Sequence, residues 1–151
     1  MEDLYGMPGH LIRRAQQISN ALFSGECAAY DLTSVQFAAL HAISLHPLID
    51  ATRLSALIAF DRSTIGDVLD RMEQKGWIRR NPSAGDRRVK TIELTPEGTQ
   101  LLRRVRPSVD RVQDRILALL PAADRASFVR LLAQLANVHD ETTPVAIRGA
   151  R

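Results

Sequence analysis

Residues 61–98 read DRSTIGDVLDRMEQKGWIRRNPSAGDRRVKTIELTPEG, and the fold is decided there. Ile65, Val68, Leu69 and Met72 recur at i, i+3, i+4 and i+7, the spacing of a helix that buries one stripe. Asp61 stands where an N-cap is wanted, and Lys75-Gly76 puts a cation in the last turn and a glycine after it. A helix is therefore expected over 62–76. The period then changes. Residues 77–80 and 89–94 read as two strands, the second roughly alternating apolar and polar. They flank Asn81-Pro82-Ser83-Ala84-Gly85-Asp86, whose residue types favour turns, so the stretch spells a β-hairpin with a basic tip. Thr95-Pro96-Glu97 supplies an N-cap, a first-turn proline and a first-turn acid, and a new helix begins.

Upstream, residues 53–59 (RLSALIA) read as a short helix joined by a tight turn to the helix over 62–76. Two helices so joined make a helix-turn-helix, whose second member enters the major groove of DNA, and a hairpin directly after it makes the winged form. Further upstream, Leu11, Ala15, Ile18 and Leu22 follow Pro8 at helical spacing, giving a helix over about 9–29. Thr33 and Gln36 form a capping box for another, carrying Phe37, Leu40 and Ile43, that ends near 45 before His46-Pro47.

Downstream, a long helix is expected over 96–120, with Leu101, Leu102, Val105, Val109, Val112, Ile116 and Leu117 on its apolar side. Pro107 should kink or break it, because proline removes one backbone bond and crowds the preceding turn. A last helix over 122–139 carries Phe128, Leu131, Leu132, Leu135 and Val138, and a polar tail starts at Asp140. The expected class is mainly α with a small β-hairpin wing (α+β). The expected organisation is one structural domain: 1–32 contributing to a dimer bundle, 33–98 the winged helix-turn-helix, 99–140 dimerisation helices and 141–151 a tail.

Composition agrees. With 151 residues, 45% hydrophobic and 25% charged, the chain suits one domain with a proper core. No apolar run approaches the ~18 residues of a membrane span. The opening MEDLYGMPGHLIRR lacks a secretory pattern, so a cytoplasmic, nucleoid-associated protein is expected. A single cysteine, Cys27, makes neither an internal disulfide nor a cysteine zinc cage. The net charge is only +3, but residues 79–90 hold Arg79, Arg80, Arg87, Arg88 and Lys90 against Asp86 alone. Such clustering fits a polyanionic partner.

With the apolar stripe turned inward, the helix over 62–76 shows Arg62, Ser63, Thr64, Gly66, Asp67, Asp70 and Arg71 outward. Arginine and short hydroxyls at its start suit base edges, since Arg pairs with guanine and Ser or Thr with several bases. Arg87, Arg88 and Lys90 on the hairpin suit phosphates or a narrow minor groove, and Asp86 is spaced to hold Arg88 in a planar ion pair.

These residues resemble the winged-helix core of the MarR family of bacterial transcriptional regulators. Asp86-Arg87-Arg88, five residues, then Leu94-Thr95-Pro96-Glu97-Gly98 match that family's D-x-R-x₅-L-T-x-x-G wing signature at every fixed position. The resemblance implies an obligate homodimer, Arg88 in the minor groove, the helix over 62–76 in the major groove, and repression as the usual mode. Two-fold symmetry then implies a pseudo-palindromic operator with half-sites about one helical turn apart. One departure is Gly66-Asp67, where family members often carry a polar and then a basic residue; it bears on sequence preference rather than fold.

The resemblance also implies a small-molecule effector pocket between bundle and winged lobe. The residues offered are His10, Arg13, Arg14, Phe23, Phe37, Leu40, His41 and Arg106. Cations beside aromatic and apolar side chains suit an aromatic carboxylate or its coenzyme A thioester, pointing to control of aromatic-compound catabolism. Other readings are a winged helix that docks on protein without binding DNA, and a redox- or metal-sensing regulator. Cys27 lies beside Glu26, which raises a thiol's pKa, and Glu26, His41 and His46 are the available metal ligands, with no histidine on the long helix to complete a site. No metal site or cofactor is expected. No H-E-x-x-H, G-x-S-x-G or phosphate-cradling glycine loop nominates an enzyme.

Overall fold

The computed structural model describes residues 2–137. The last helix, expected over 122–139, runs only over Arg125–Leu135 after a 3₁₀ turn; Val138 and the tail from Asp140 lie outside the described residues. In chain order the elements are α1 (Glu2–Tyr5), α2 (Pro8–Glu26), a 3₁₀ turn (Ala28–Tyr30), α3 (Ser34–Leu45), β1 (Ile49–Asp50), α4 (Ala51–Leu57), α5 (Ile65–Gln74), β2 (Ile78–Pro82), β3 (Lys90–Leu94), α6 (Pro96–Leu117), a 3₁₀ turn (Ala122–Asp124) and α7 (Arg125–Leu135).

The antiparallel sheet has the order β1-β3-β2. Ile49 pairs with Ile92, and in the hairpin Ile78 pairs with Leu94 and Arg80 with Ile92. The third strand, β1, is absent from the sequence reading because two residues carry no detectable period. Pro82, expected in the turn, closes β2; it is tolerated there because β2 lies at the sheet edge and its missing N–H faces no neighbour strand. Leu40, Ile43, Leu54, Ile65, Leu69, Met72, Ile78, Ile92, Val105 and Val112 are fully buried and form one core joining α3, the helix-turn-helix, the sheet and α6. The stripe of α5 is inward as read, with Val68 half-buried.

The start of α5 differs from expectation. Asp61 does not cap a helix over 62–76; its Oδ1 accepts the Ser63 N–H at 3.0 Å, a local turn two residues long that competes with helix initiation. The Asp61 carbonyl then accepts the Thr64 and Ile65 N–H groups, each at 3.1 Å, and α5 starts at Ile65. Arg62, Ser63 and Thr64 thus form the turn into the helix.

Pro107 does not break α6, which is continuous from Pro96 to Leu117. Pro107 and the carbonyl-bearing Arg103 one turn earlier are both on the exposed side, where water can take the freed acceptor, while Val105, Ser108 and Val109 are buried around it. At the N-terminus of α6, Thr95 accepts the Gly98 N–H at 3.1 Å and its own hydroxyl donates to the Gly76 carbonyl at 2.5 Å. A Cβ on Gly98 would stand 2.0 Å from the Trp77 carbonyl oxygen, so only glycine lets α6 start this close to the hairpin. The Leu94–Gly98 stretch is therefore the joint between wing and long helix.

The outer helices are different. Phe23 is the one fully buried residue of α2, and α7 has none. Leu11, Ile12, Ile18, Val129, Leu131, Leu132 and Leu135 are exposed, and α2, α6 and α7 enclose a predominantly apolar groove of about 900 Å³.

Candidate nucleic-acid interface

The wing tip holds a defined arrangement of exposed charge. Ser83 donates its N–H to the Val89 carbonyl at 2.7 Å, and Val89 donates to the Asp86 carbonyl at 3.0 Å, closing the hairpin. Asp86 Oδ1 accepts the Arg88 N–H at 3.0 Å and Arg88 Nε at 3.2 Å, while Oδ2 accepts the guanidinium Nη2 at 3.1 Å. This planar fork directs a side chain that is 90% exposed. The Arg88 side chain, then its N–H, hold the Asp86 carboxyl below the ordinary aspartate range. The pairing is the one the Asp-x-Arg spacing predicts.

The cation cluster is not five free charges. Arg79 pairs with Glu93 across the hairpin at 2.8 Å, and Arg80 donates to both Asp70 and Glu73 of α5 at 2.6 Å. Among the described residues, Arg87 and Lys90 are exposed and make no ion pair. A composition count cannot know which cations have partners; the unpaired surplus is Arg87 and Lys90, beside an Arg88 that Asp86 holds outward.

At the α5 entrance Arg62, Ser63 and Thr64 are exposed, as are Asp67 and Arg71 along the helix. Arg62 Nε donates to Thr52 Oγ1 on α4 at 3.0 Å, and Thr64 Oγ1 donates to the Asp61 carbonyl at 3.2 Å. Sequence reading missed the supporting contacts. Besides the Arg80 pairs, Lys75 at the end of α5 donates to the Asp31 carbonyl at 2.6 Å, meets its carboxylate at 3.0 Å, and sits 4.6 Å above the Trp77 ring. Lys75 lies 44 residues from Asp31, and Arg80 lies 10 and 7 residues from Asp70 and Glu73 in another element, so no local pattern announces these contacts.

The residues assigned to an effector fall into separate groups. Phe23, Phe37 and His41 form an aromatic chain, with ring centroids 6.3 Å and 6.0 Å apart and the last pair stacked. Leu40 is core. His10 meets Tyr5 edge to face at 5.7 Å, and Arg14 lies 5.6 Å over the same Tyr5 ring. His10 Nε2 is enclosed without a hydrogen-bond partner. Arg13 is exposed, and Arg106 pairs with Asp110 on its own helix at 2.9 Å. The apolar groove between α2, α6 and α7 contains none of the eight.

Burial first, then the charge of Glu26, pushes the Cys27 thiol above its ordinary value, which removes the thiolate character a peroxide sensor needs. Glu26 itself is taken by Arg111 and Arg115, each at 3.0 Å, rather than turned toward His41 or His46. No group of three or more metal-ligating side chains is gathered among the described residues, and none of their helices is long and apolar enough to cross a membrane.

The MarR family model matches residues 32–90. HTH-type transcriptional repressor NicR of Pseudomonas putida is 30% identical over 133 residues, covering 88% of this chain and 84% of that one. Among solved structures, Bordetella bronchiseptica BpsR, described with the mechanism by which 6-hydroxynicotinic acid regulates its DNA binding, superposes with a TM-score of 0.81 at 26% identity, covering 88% of this chain and 95% of BpsR. The transcriptional repressor CouR, bound to a 23-mer DNA duplex, gives 0.81 at 29% identity, covering 89% and 95%.

Proposed function

The chain belongs to the MarR family of transcriptional regulators, and from that premise we propose that it is a homodimeric, effector-relieved repressor. Arg88 on the wing enters a minor groove while Arg62, Ser63, Thr64, Asp67 and Arg71 face the neighbouring major groove, with Arg87 and Lys90 on phosphates. The observation that carries this reading is the Asp86–Arg88 fork, which holds an almost fully exposed guanidinium outward before any DNA arrives. Pre-orientation lowers the entropy lost on binding, and a narrow groove's negative potential favours arginine there.

Residues 1–32 and the helices that follow residue 99 form, in two copies, the dimer bundle, and 33–98 the DNA-binding lobe; the apolar groove between α2, α6 and α7 supports the bundle assignment. An aromatic carboxylate, or its coenzyme A thioester, is the effector class that suits the Phe23–Phe37–His41 aromatic chain with His10 and Arg14 as polar partners; Leu40 is core, Arg13 lies outside both groups, and Arg106 is held by Asp110. The similarity to BpsR, whose regulator 6-hydroxynicotinic acid is an aromatic carboxylate, supports it. A ligand that prefers the dimer with wrongly spaced recognition helices would weaken DNA binding by about 1–3 kcal/mol, and DNA would weaken ligand binding equally. Such a protein works in the cytoplasm, on the nucleoid, controlling genes of aromatic-compound catabolism.

The test is binding to duplex DNA across a salt series, with Arg88→Ala alongside. Affinity should fall steeply with salt, and Arg88→Ala should lower it for every duplex while leaving the thermal midpoint unchanged. Binding that ignores ionic strength would leave a winged helix docking on protein as the better reading.

A further inference from the structure

Arg80 lies on the edge strand β2, opposite Ile92, with only 20% of its side chain exposed. Its neighbour Arg79 points to the other face, to Glu93, as strand alternation requires. Arg80 instead reaches α5. Its Nε donates to Glu73 Oε2 and its Nη2 to Asp70 Oδ1, both at 2.6 Å. Asp70 and Glu73 are three residues apart, one above the other on the same helical surface. Burial alone would lower the Arg80 pKa, but the hydrogen bonds it donates to Asp70 and then Glu73 outweigh that burial.

One rigid plane bound to two points a turn apart fixes both the distance and the rotation of the helix relative to the hairpin. We infer that Arg80 is a positioning residue for DNA recognition: through Asp70 and Glu73 it sets α5 against the wing, so that the two elements meet adjacent grooves together. It also offsets part of the charge of two carboxylates on α5 that would otherwise repel phosphates. This inference rests on the DNA-binding reading above. A lysine keeps the charge but is a flexible point donor without the planar fork, so charge and positioning are separable.

The experiment uses the full-length protein and two probes: the duplex it selects from a randomised pool, and a scrambled duplex of the same composition. The readout is the ratio of their affinities, measured well below each variant's thermal midpoint. Arg80→Lys should keep the wild-type salt slope but lose roughly tenfold in that ratio, about one base contact's worth. Arg80→Gln should lose more and also bind scrambled DNA more weakly, because the charges of Asp70 and Glu73 are then no longer offset. Adding Asp70→Asn and Glu73→Gln to Arg80→Gln should restore affinity for scrambled DNA without restoring the ratio. A purely structural role would lower the thermal midpoint and leave the ratio untouched. Wild-type selectivity in Arg80→Lys, with the wild-type protein itself selecting a duplex, overturns this inference alone. A wild-type protein that selects no duplex overturns it together with the reading beneath it.

Discussion

The Asp86–Arg88 pair shows how far two residues at fixed spacing can be read. A carboxylate and a guanidinium two positions apart across a tight turn can meet in a fork, and here they do, at 3.1 and 3.2 Å. Arg79 and Arg80 are the contrary case: counted as free cations, they prove committed to Glu93 and to Asp70 and Glu73. Side chains joined by chain-distant partners leave no local pattern. Gly98 is legible only in part. Its place in L-T-x-x-G can be read, but not the reason for it, which is the Trp77 carbonyl lying where a Cβ would go. Gly98→Ala forces backbone against backbone at the joint between wing and α6, with no flexible side chain to yield. Chemical denaturation should show a loss of at least about 1–3 kcal/mol, the scale of overpacking a closed site, and a wild-type midpoint would show that the joint can open freely.

Whole elements were legible where they carried several turns of periodicity, as α3, α5 and α6 did, and poorly placed at their ends. The end of α2 is an example: the reading extends to 29, but the helix stops at Glu26 and a 3₁₀ turn follows. Local hydrogen bonding at Asp61 shifted the start of α5, and two-residue β1 was invisible, since neither effect has a period. Between elements, Glu26 at the end of α2 is bound by Arg111 and Arg115 of α6, and those hydrogen bonds hold its carboxyl below the ordinary glutamate value of 4.5. A depressed native pKa means the clamp's stabilising effect is complete above that ordinary value and fades as pH falls through the lower native one. Glu26→Gln should therefore be less stable than wild type at neutral pH, and the two should converge on acidification. Thermal midpoints between neutral pH and pH 3 measure this; a constant gap across the series would mean that the Glu26 charge is not what ties α2 to α6.

At the scale of the molecule, the winged lobe closes its own core while the outer helices do not. Ile12, Val129, Leu131 and Leu132 remain exposed around an apolar groove of about 900 Å³, and α7 buries no residue among those described. Apolar surface of this extent on several helices calls for a cover, and a second copy supplying the same surface satisfies it with two-fold symmetry. The same contact would set the separation of the two α5 helices, so assembly and recognition are one requirement. Leu132→Asp places a charge in the groove, on a helix that contributes no buried residue to the core. Sedimentation should find the wild type dimeric and this variant monomeric, with the winged lobe still folded by circular dichroism. Its affinity for the selected duplex should drop toward that for scrambled DNA, because a single lobe keeps its phosphate contacts but loses the paired half-sites. A monomeric variant that still distinguished the two duplexes as well as wild type would mean that one lobe reads the operator alone.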